Sequence, residues 1–245
     1  MKPFLLLASR PEDAAADAEY AAFLRCTGLR ADELHRVRME AAPIPAVDLD
    51  QYSGIMVGGS PFTGSTPTEY KSDTQRRVEA ELAGLLDEVV DADFPFLGAC
   101  YGVGTLARHQ GAVVDGTYAE PISAPVVEVT DDGSTDPLLA GLPRRFQAFV
   151  GHKEACTLLP DHAVLLITSA SAPVQMFRVK ENLYGTQFHP ELDLPGILQR
   201  IAIYHDAGYY DPAQRDEVER QVAEARVGEV QQILANFVHR YATED

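Results

Sequence analysis

Of the three cysteines in this 245-residue chain, Cys100 alone stands in a setting that suits nucleophilic chemistry. It lies in Phe94-Pro95-Phe96-Leu97-Gly98-Ala99-Cys100-Tyr101-Gly102, with a glycine two residues away on each side. The apolar run before it reads as a strand and the segment after it as a short helix ending near Gly111, which puts the cysteine on a sharp strand-to-helix turn. Such a turn lifts a nucleophile above the end of a sheet in a strained conformation, and side chains at the two glycine positions would collide with neighbouring backbone. A helix N-terminus carries partial positive charge, which favours thiolate over thiol. Attack of that thiolate on a carbonyl is the chemistry this spacing serves. The Tyr101 N–H is then free to donate to an oxyanion, with a second donor expected from the glycine loop Gly58-Gly59-Ser60-Pro61 after another strand. Cys26, on an amphipathic helix, and Cys156, in Ala155-Cys156-Thr157-Leu158, are expected to serve packing.

A thiol nucleophile needs a base and a group that orients the base. Among seven histidines, His189 ends the apolar run Leu183 to Phe188 and is followed by the stiffening Pro190. Glu191 lies two residues on, and in an extended segment it projects to the same side, where it can hold the second ring nitrogen. His152, in Gly151-His152-Lys153-Glu154, is the rival base, expected on a solvated loop. His109 is expected to point away, and His35, His162, His205 and His239 to lie at the surface. No grouping of His, Cys and carboxylates has metal-ligand spacing, so neither a metal nor another cofactor is expected.

These residues must be positioned by elements, and the hydrophobic pattern supplies them. Pro3 to Ala8, Ser53 to Val57 and Phe94 to Leu97 are short apolar runs that suit strands buried on both faces. Helices are predicted over Asp13 to Thr27, stopped by Gly28, and over Glu69 to Val90. This alternation predicts an α/β fold: a mostly parallel central sheet with helices on both faces. Ala124 to Thr130, Phe146 to Val150, Val164 to Ser169, Val174 to Val179 and Tyr184 to Phe188 are expected to extend it with antiparallel strands. Asp211-Pro212 is a good helix start, and the pattern beyond it to Tyr241 supports one or two helices. The division expected is a domain over residues 1–209 and a helical extension, 210–245, packed on it.

Composition bounds the partners. The chain is 46% apolar and 23% charged, with a net charge of −17, so most of its surface repels a phosphate backbone or an anionic bilayer. Neither nucleic acid nor membrane is an expected partner. The apolar stretch after Lys2 is too short for a signal-peptide core, and the reading is of a soluble, cytoplasmic protein.

Taken in order, Gly58-Gly59, Gly98-Ala99-Cys100-Tyr101-Gly102 and Gly185-Thr186-Gln187-Phe188-His189-Pro190-Glu191 resemble the class I glutamine amidotransferases, especially the glutaminase domain of GMP synthetase and its free-standing relatives. The resemblance runs from the first strand to about Tyr209. It implies a flavodoxin-like amidotransferase fold and a Cys100, His189, Glu191 triad that attacks the side-chain amide of glutamine, forms a γ-glutamyl thioester and releases ammonia. Gly58, Gly59, Tyr101, Gly151 and His152 are the implied oxyanion and substrate-binding positions. Gly104 stands where family members usually carry a substrate-holding Gln, and Gly151-His152 where they commonly have Ser-His. A γ-glutamyl peptide or conjugate is therefore an alternative substrate. These residues hold no Ser-Gly-Gly-x-Asp-Ser or GxxxxGK[ST] loop to activate an ammonia acceptor, which points to a separate synthase subunit or a self-sufficient hydrolase. Other readings are a PfpI-like protein, against which Tyr101 argues, and a non-catalytic regulatory relative.

Overall fold

Phe-Leu-Leu-Leu-Ala at positions 4–8 is buried along its whole length, which requires cover on both faces of the sheet it joins. In the computed structural model, which describes residues 1–244, this strand is β1 (Phe4–Ala8). It is followed by α1 (Asp13–Thr27), β2 (Leu34–Arg38), β3 (Gly54–Val57), α2 (Asp73–Asp91), β4 (Phe96–Ala99) and α3 (Tyr101–His109). The chain continues through β5 (Val113–Asp115), β6 (Glu120–Ser123), β7 (Val126–Val129), β8 (Arg145–Gln147), β9 (Val150–His152) and β10 (Ala155–Leu158). Then come β11 (Ala163–Ser169), β12 (Met176–Val179), β13 (Leu183–Thr186), α4 (Leu194–Ile203), α5 (Arg215–Glu224) and α6 (Gln232–Tyr241).

Nine strands form one sheet in the order β2-β1-β3-β4-β13-β12-β11-β7-β8. From β2 to β13 neighbouring strands are parallel, and from β13 to β8 they are antiparallel. The fold is therefore α/β, with a parallel centre and an antiparallel extension. Alternate residues of the central strands face opposite layers. Phe4, Leu6, Met56, Leu97 and Tyr184 pack with Phe23 of α1 and with Ile233, Leu234 and Phe237 of α6. Leu5, Leu7, Ile55, Val57, Phe96 and Leu183 pack with Val78, Leu82 and Leu86 of α2 and with Val103 and Leu106 of α3. The pair β6-β9 and the pair β5-β10 stand apart from the large sheet. A third cluster joins Ile197 and Ile201 of α4 to Val218 and Val222 of α5.

Several expected boundaries moved for local reasons. The helix expected from Glu69 begins at Asp73, because the Ser72 hydroxyl accepts from the Gln75 N–H and caps it there. Thr68–Tyr70 is a separate single turn. The strand expected over Phe146 to Val150 is two strands, β8 on the large sheet and β9 on β6. Between them the Phe149 carbonyl leaves both ladders and accepts from the His189 N–H at 3.0 Å. β2 has no counterpart among the expected strands, since Leu-His-Arg-Val-Arg reads as charged. It is an edge strand, and Arg36 and Arg38 on it pair with Asp17 and Asp13 of α1.

Candidate active site

The turn between β4 and α3 holds Cys100 at φ 53° and ψ −94°, a region that non-glycine residues rarely adopt. Its surroundings hold it there. The Cys100 N–H donates to the Thr186 carbonyl of β13 at 2.8 Å. A Cβ on Gly98 would lie 2.5 Å from the Gly102 backbone, and one on Gly102 would lie 2.9 Å from Val57. Both glycines are therefore dictated by close approach, and the turn lifts a partly exposed thiol above the carboxyl ends of the parallel strands, where open α/β sheets build their sites. As the first residue of α3, Tyr101 has no intrahelical acceptor for its N–H.

β13 pairs in parallel with β4, and the chain leaving its end carries His189 to the same place. His189 and Cys100 line one cavity, where the two side chains interact electrostatically. On its other side His189 Nδ1 meets Glu191 Oε1 at 2.8 Å, which leaves Nε2 for Cys100. The geometry that pairs the two differs from the extended one expected: residues 189–192 form a turn closed by the Leu192 N–H on the His189 carbonyl. Both side chains are buried, and Glu191 Oε2 has no hydrogen-bond partner among the described residues. Burial opposes the charged imidazole, but the Glu191 carboxylate and the Cys100 side chain together outweigh it and raise the His189 pKa. Burial likewise opposes the Glu191 charge, which His189, and behind it Arg200, hold well below the usual carboxylate range.

The remaining expected positions separate. The Gly59 N–H has no backbone acceptor among the described residues, and a Cβ at that position would lie 2.7 Å from His189 Cε1. Gly58 differs, because its N–H bonds the Leu7 carbonyl at 3.0 Å as the sheet ends. A Cβ there would sit 2.9 Å from the Glu19 carboxylate, which is why the position is small. Gly151 lines the cavity beside Cys100. His152 is buried on β9 instead of lying on a solvated loop. Its Nε2 meets Glu120 at 2.8 Å and its Nδ1 the Glu154 carbonyl at 2.9 Å, so neither nitrogen is available as a base for Cys100.

Burial raises Cys26 to about 12 and Cys156 to about 11, the chemistry of packing thiols. Cys26 nevertheless touches the back of the site, at 3.6 Å from the Glu191 carbonyl.

Sequence reasoning missed a cluster beside His189. Arg10, just past β1, and Arg200, on α4, both line the cavity and flank Glu19 of α1, whose carboxylate is buried between them. The signal was present in the pattern. Glu19 shares the buried face of α1 with Ala15, Ala16, Ala22 and Phe23, and Arg200 sits between Ile197 and Ile201 on the buried face of α4. A charge at a core-facing position requires a partner.

A second cavity meets the first at Cys100, lined by Phe62, Thr63, Lys153 and Glu154 among others. Gly104 faces the Arg108–Glu154 ion pair there, and a Cβ at that position would lie 3.3 Å from Glu154 Oε1.

Comparison with known proteins bears on the family and the fold. The family model "Glutamine amidotransferase class-I" matches residues 24–195. A glutamine-hydrolysing GMP synthase of Thermosipho africanus is 32% identical over 151 residues, which are 61% of this chain and 28% of that protein. One from Streptomyces avermitilis is 35% identical over 117 residues, 47% of this chain and 22% of that protein. The chain thus spans under a third of the length of these relatives. A solved glutamine amidotransferase from Thermotoga maritima superposes with a TM-score of 0.72 at 22% identity, covering 98% of both chains, and so shares the fold. A putative GMP synthase subunit from Thermoplasma acidophilum gives 0.58 at 22% identity over 84% of this chain and 97% of its own. With the matched segment running from α1 through Cys100, His189 and Glu191 to the start of α4, the chain belongs to the class I glutamine amidotransferase family.

Proposed function

We propose that the protein hydrolyses the side-chain amide of a γ-glutamyl compound, free glutamine being the smallest, through a thioester on Cys100. The thiolate attacks the γ-carbonyl carbon, and the oxyanion is received by the Tyr101 and Gly59 amides. His189 gives its proton to the leaving nitrogen, the C–N bond breaks, and ammonia or an amine departs. A water molecule then gives a proton to His189 and its oxygen to the thioester carbon, releasing glutamate and the Cys100 thiol. Glu191 fixes the imidazole tautomer and balances its charge throughout.

The observation that carries this reading is the strained Cys100, backed on one side by His189 and, through Nδ1, by Glu191. The cavity lined by Lys153 and Glu154 offers the exposed Lys153 ammonium for the α-carboxylate of the glutamyl moiety. The test is steady-state kinetics on glutamine and on γ-glutamyl amides, following ammonia or amine release. Turnover lost in Cys100→Ala supports the hydrolase; absence of turnover on every compound, with the protein folded, overturns it. With no glutamine-type amide at Gly104, the expected kcat/KM for free glutamine is roughly ten- to hundred-fold below that of the best conjugate.

A second reading follows from the relatives' architecture. In this reading the protein hands ammonia to a separate synthase subunit, as the name of the Thermoplasma acidophilum neighbour suggests for that chain. Glutamine turnover that rises only on adding such a subunit favours it. A location in the cytoplasm fits either reading. No helix among the described residues is long and apolar enough to cross a membrane.

A further inference from the structure

The cavity shared by Cys100 and His189 is bordered by guanidinium donors that the protein does not use. Arg10 and Arg200 are only 4% and 5% exposed. Arg10 directs Nε to Glu19 at 2.7 Å and Nη1 to the Tyr204 hydroxyl at 3.2 Å, and Arg200 directs Nη2 to the same Glu19 oxygen at 3.2 Å. Arg10 Nη2 and Arg200 Nε and Nη1 have no acceptor among the described residues. The other charges nearby are already engaged. Glu191 is hydrogen-bonded to His189 and also lies in the field of Arg200, and Glu12, reached only through the Tyr204 hydroxyl, is exposed. One oxygen of the buried Glu19 carboxylate thus serves two guanidinium groups, and their remaining donors, apart from Arg10 Nη1 on Tyr204, are left without a hydrogen-bond acceptor among the described residues. Arg200 holds its proton less tightly than an ordinary arginine, first because of burial and then because of Arg10.

The position of these donors identifies what they meet. A Cβ on Gly59 would lie 2.5 Å from Arg10 Nη2 and 2.7 Å from His189 Cε1, so guanidinium and imidazole border the same small space. Because His189 must protonate the leaving nitrogen, the substituents of that nitrogen project to the His189 side of Cys100. The Lys153 and Glu154 cavity, on whose lining His189 does not appear, takes the acyl half. Resting on the hydrolase reading above, we propose that Arg10 and Arg200 bind an anionic group on the leaving amine, a carboxylate, making γ-glutamyl conjugates of amino acids the preferred substrate class. The γ-amide C–N bond of such a conjugate breaks, water supplies the hydroxyl to glutamate, and the amino acid leaves with its carboxylate held by the fork of guanidinium donors.

Alkylation of Cys100 tests the anion site without any substrate. Iodoacetate and iodoacetamide form the same S–C bond and expel the same iodide, differing only in a carboxylate against a carboxamide, so their rate ratio is independent of thiolate supply. The expected ratio at Cys100 is roughly tenfold or more above that of free glutathione in the same buffer, and Arg200→Gln returns it toward the free-thiol value. A wild-type ratio no higher than that of glutathione, or one unchanged in a folded Arg200→Gln, overturns the proposal. Should that variant fail to fold, propionate is expected to protect wild-type Cys100 from iodoacetamide and propionamide is not; equal protection overturns the site. A parallel arm compares γ-glutamylglycine with γ-glutamylethylamide on the wild-type protein. Equal kcat/KM on the two refutes the leaving-group assignment and leaves the hydrolase standing. Hydrolysis of neither, with the iodoacetate preference intact, refutes the hydrolase and leaves the anion site.

Discussion

The Cys100 amide donates to the Thr186 carbonyl at 2.8 Å, tying the turn that carries the thiol to the strand whose continuation carries His189. The bond exists because β13 inserts beside β4 in parallel register, Thr186 opposite Ala99. Residues almost ninety positions apart are thereby held in fixed relation by a backbone contact, so thiol and imidazole face one cavity without depending on side-chain packing alone.

Cys100 is expected to react first with limiting iodoacetamide. Burial pushes Cys26 to about 12 and Cys156 to about 11, so neither supplies much thiolate near neutral pH. Peptide mapping by mass spectrometry checks the order, and faster labelling of either packing cysteine contradicts the assignment.

Substitutions within the site are expected to differ in severity. Cys100→Ala and His189→Ala should lower kcat by on the order of 10³-fold or more. Glu191→Gln should retain a measurable fraction, roughly 10²-fold down, because an amide still orients the ring but cannot balance its charge. An active His189→Ala protein refutes the triad, and His152 could not replace it, since both its nitrogens are engaged.

Stability should fall on the alkaline side because of His189. Its pKa rises from an ordinary 6.5 to about 9 in the folded chain, so the folded state binds the proton more tightly than the unfolded one. That contribution is complete below 6.5, shrinks as pH rises, and is gone once pH has passed about 9. Glu191 acts with the opposite sign: its folded pKa is depressed, so its contribution is present above the ordinary carboxylate value and lost on acidification. Thermal denaturation from neutral pH to beyond that upper value should show a decline of several degrees that is flattened in Glu191→Gln. An equal decline in both proteins rules out the ion pair as its cause.

Glu154 is expected to matter for the loop before α2. Its carboxylate accepts from the Gly64 and Ser65 amides at 3.0 and 2.6 Å and from Arg108 at 2.9 Å. Glu154→Ala leaves two backbone donors and one guanidinium without that acceptor, at about 2–3 kcal/mol of stability. Urea denaturation measures this, and a change under 0.5 kcal/mol, roughly the scatter of surface substitutions, would show that water replaces the carboxylate.

The placement of Cys100 and His189 at one cavity, with Glu191 on the imidazole, was legible in the residues because it rests on short-range facts. Glycines two positions either side of a thiol fix the turn, and an apolar run ending in His-Pro-Glu fixes where a strand stops. The alternation of buried strands with amphipathic helices was legible for the same reason, since period depends only on neighbours along the chain. Pairing across the fold decided the rest. Arg10, Glu19 and Arg200 are ordinary charged residues until β1, α1 and α4 converge, and only then does one carboxylate fall between two guanidinium groups. His152 looked solvated because Lys153 and Glu154 follow it, yet Glu120, thirty-two positions earlier, takes its ring nitrogen once β6 and β9 pair. Which charges a protein buries depends on the partners that tertiary contact brings within hydrogen-bonding distance, and no local pattern in the sequence encodes that distance.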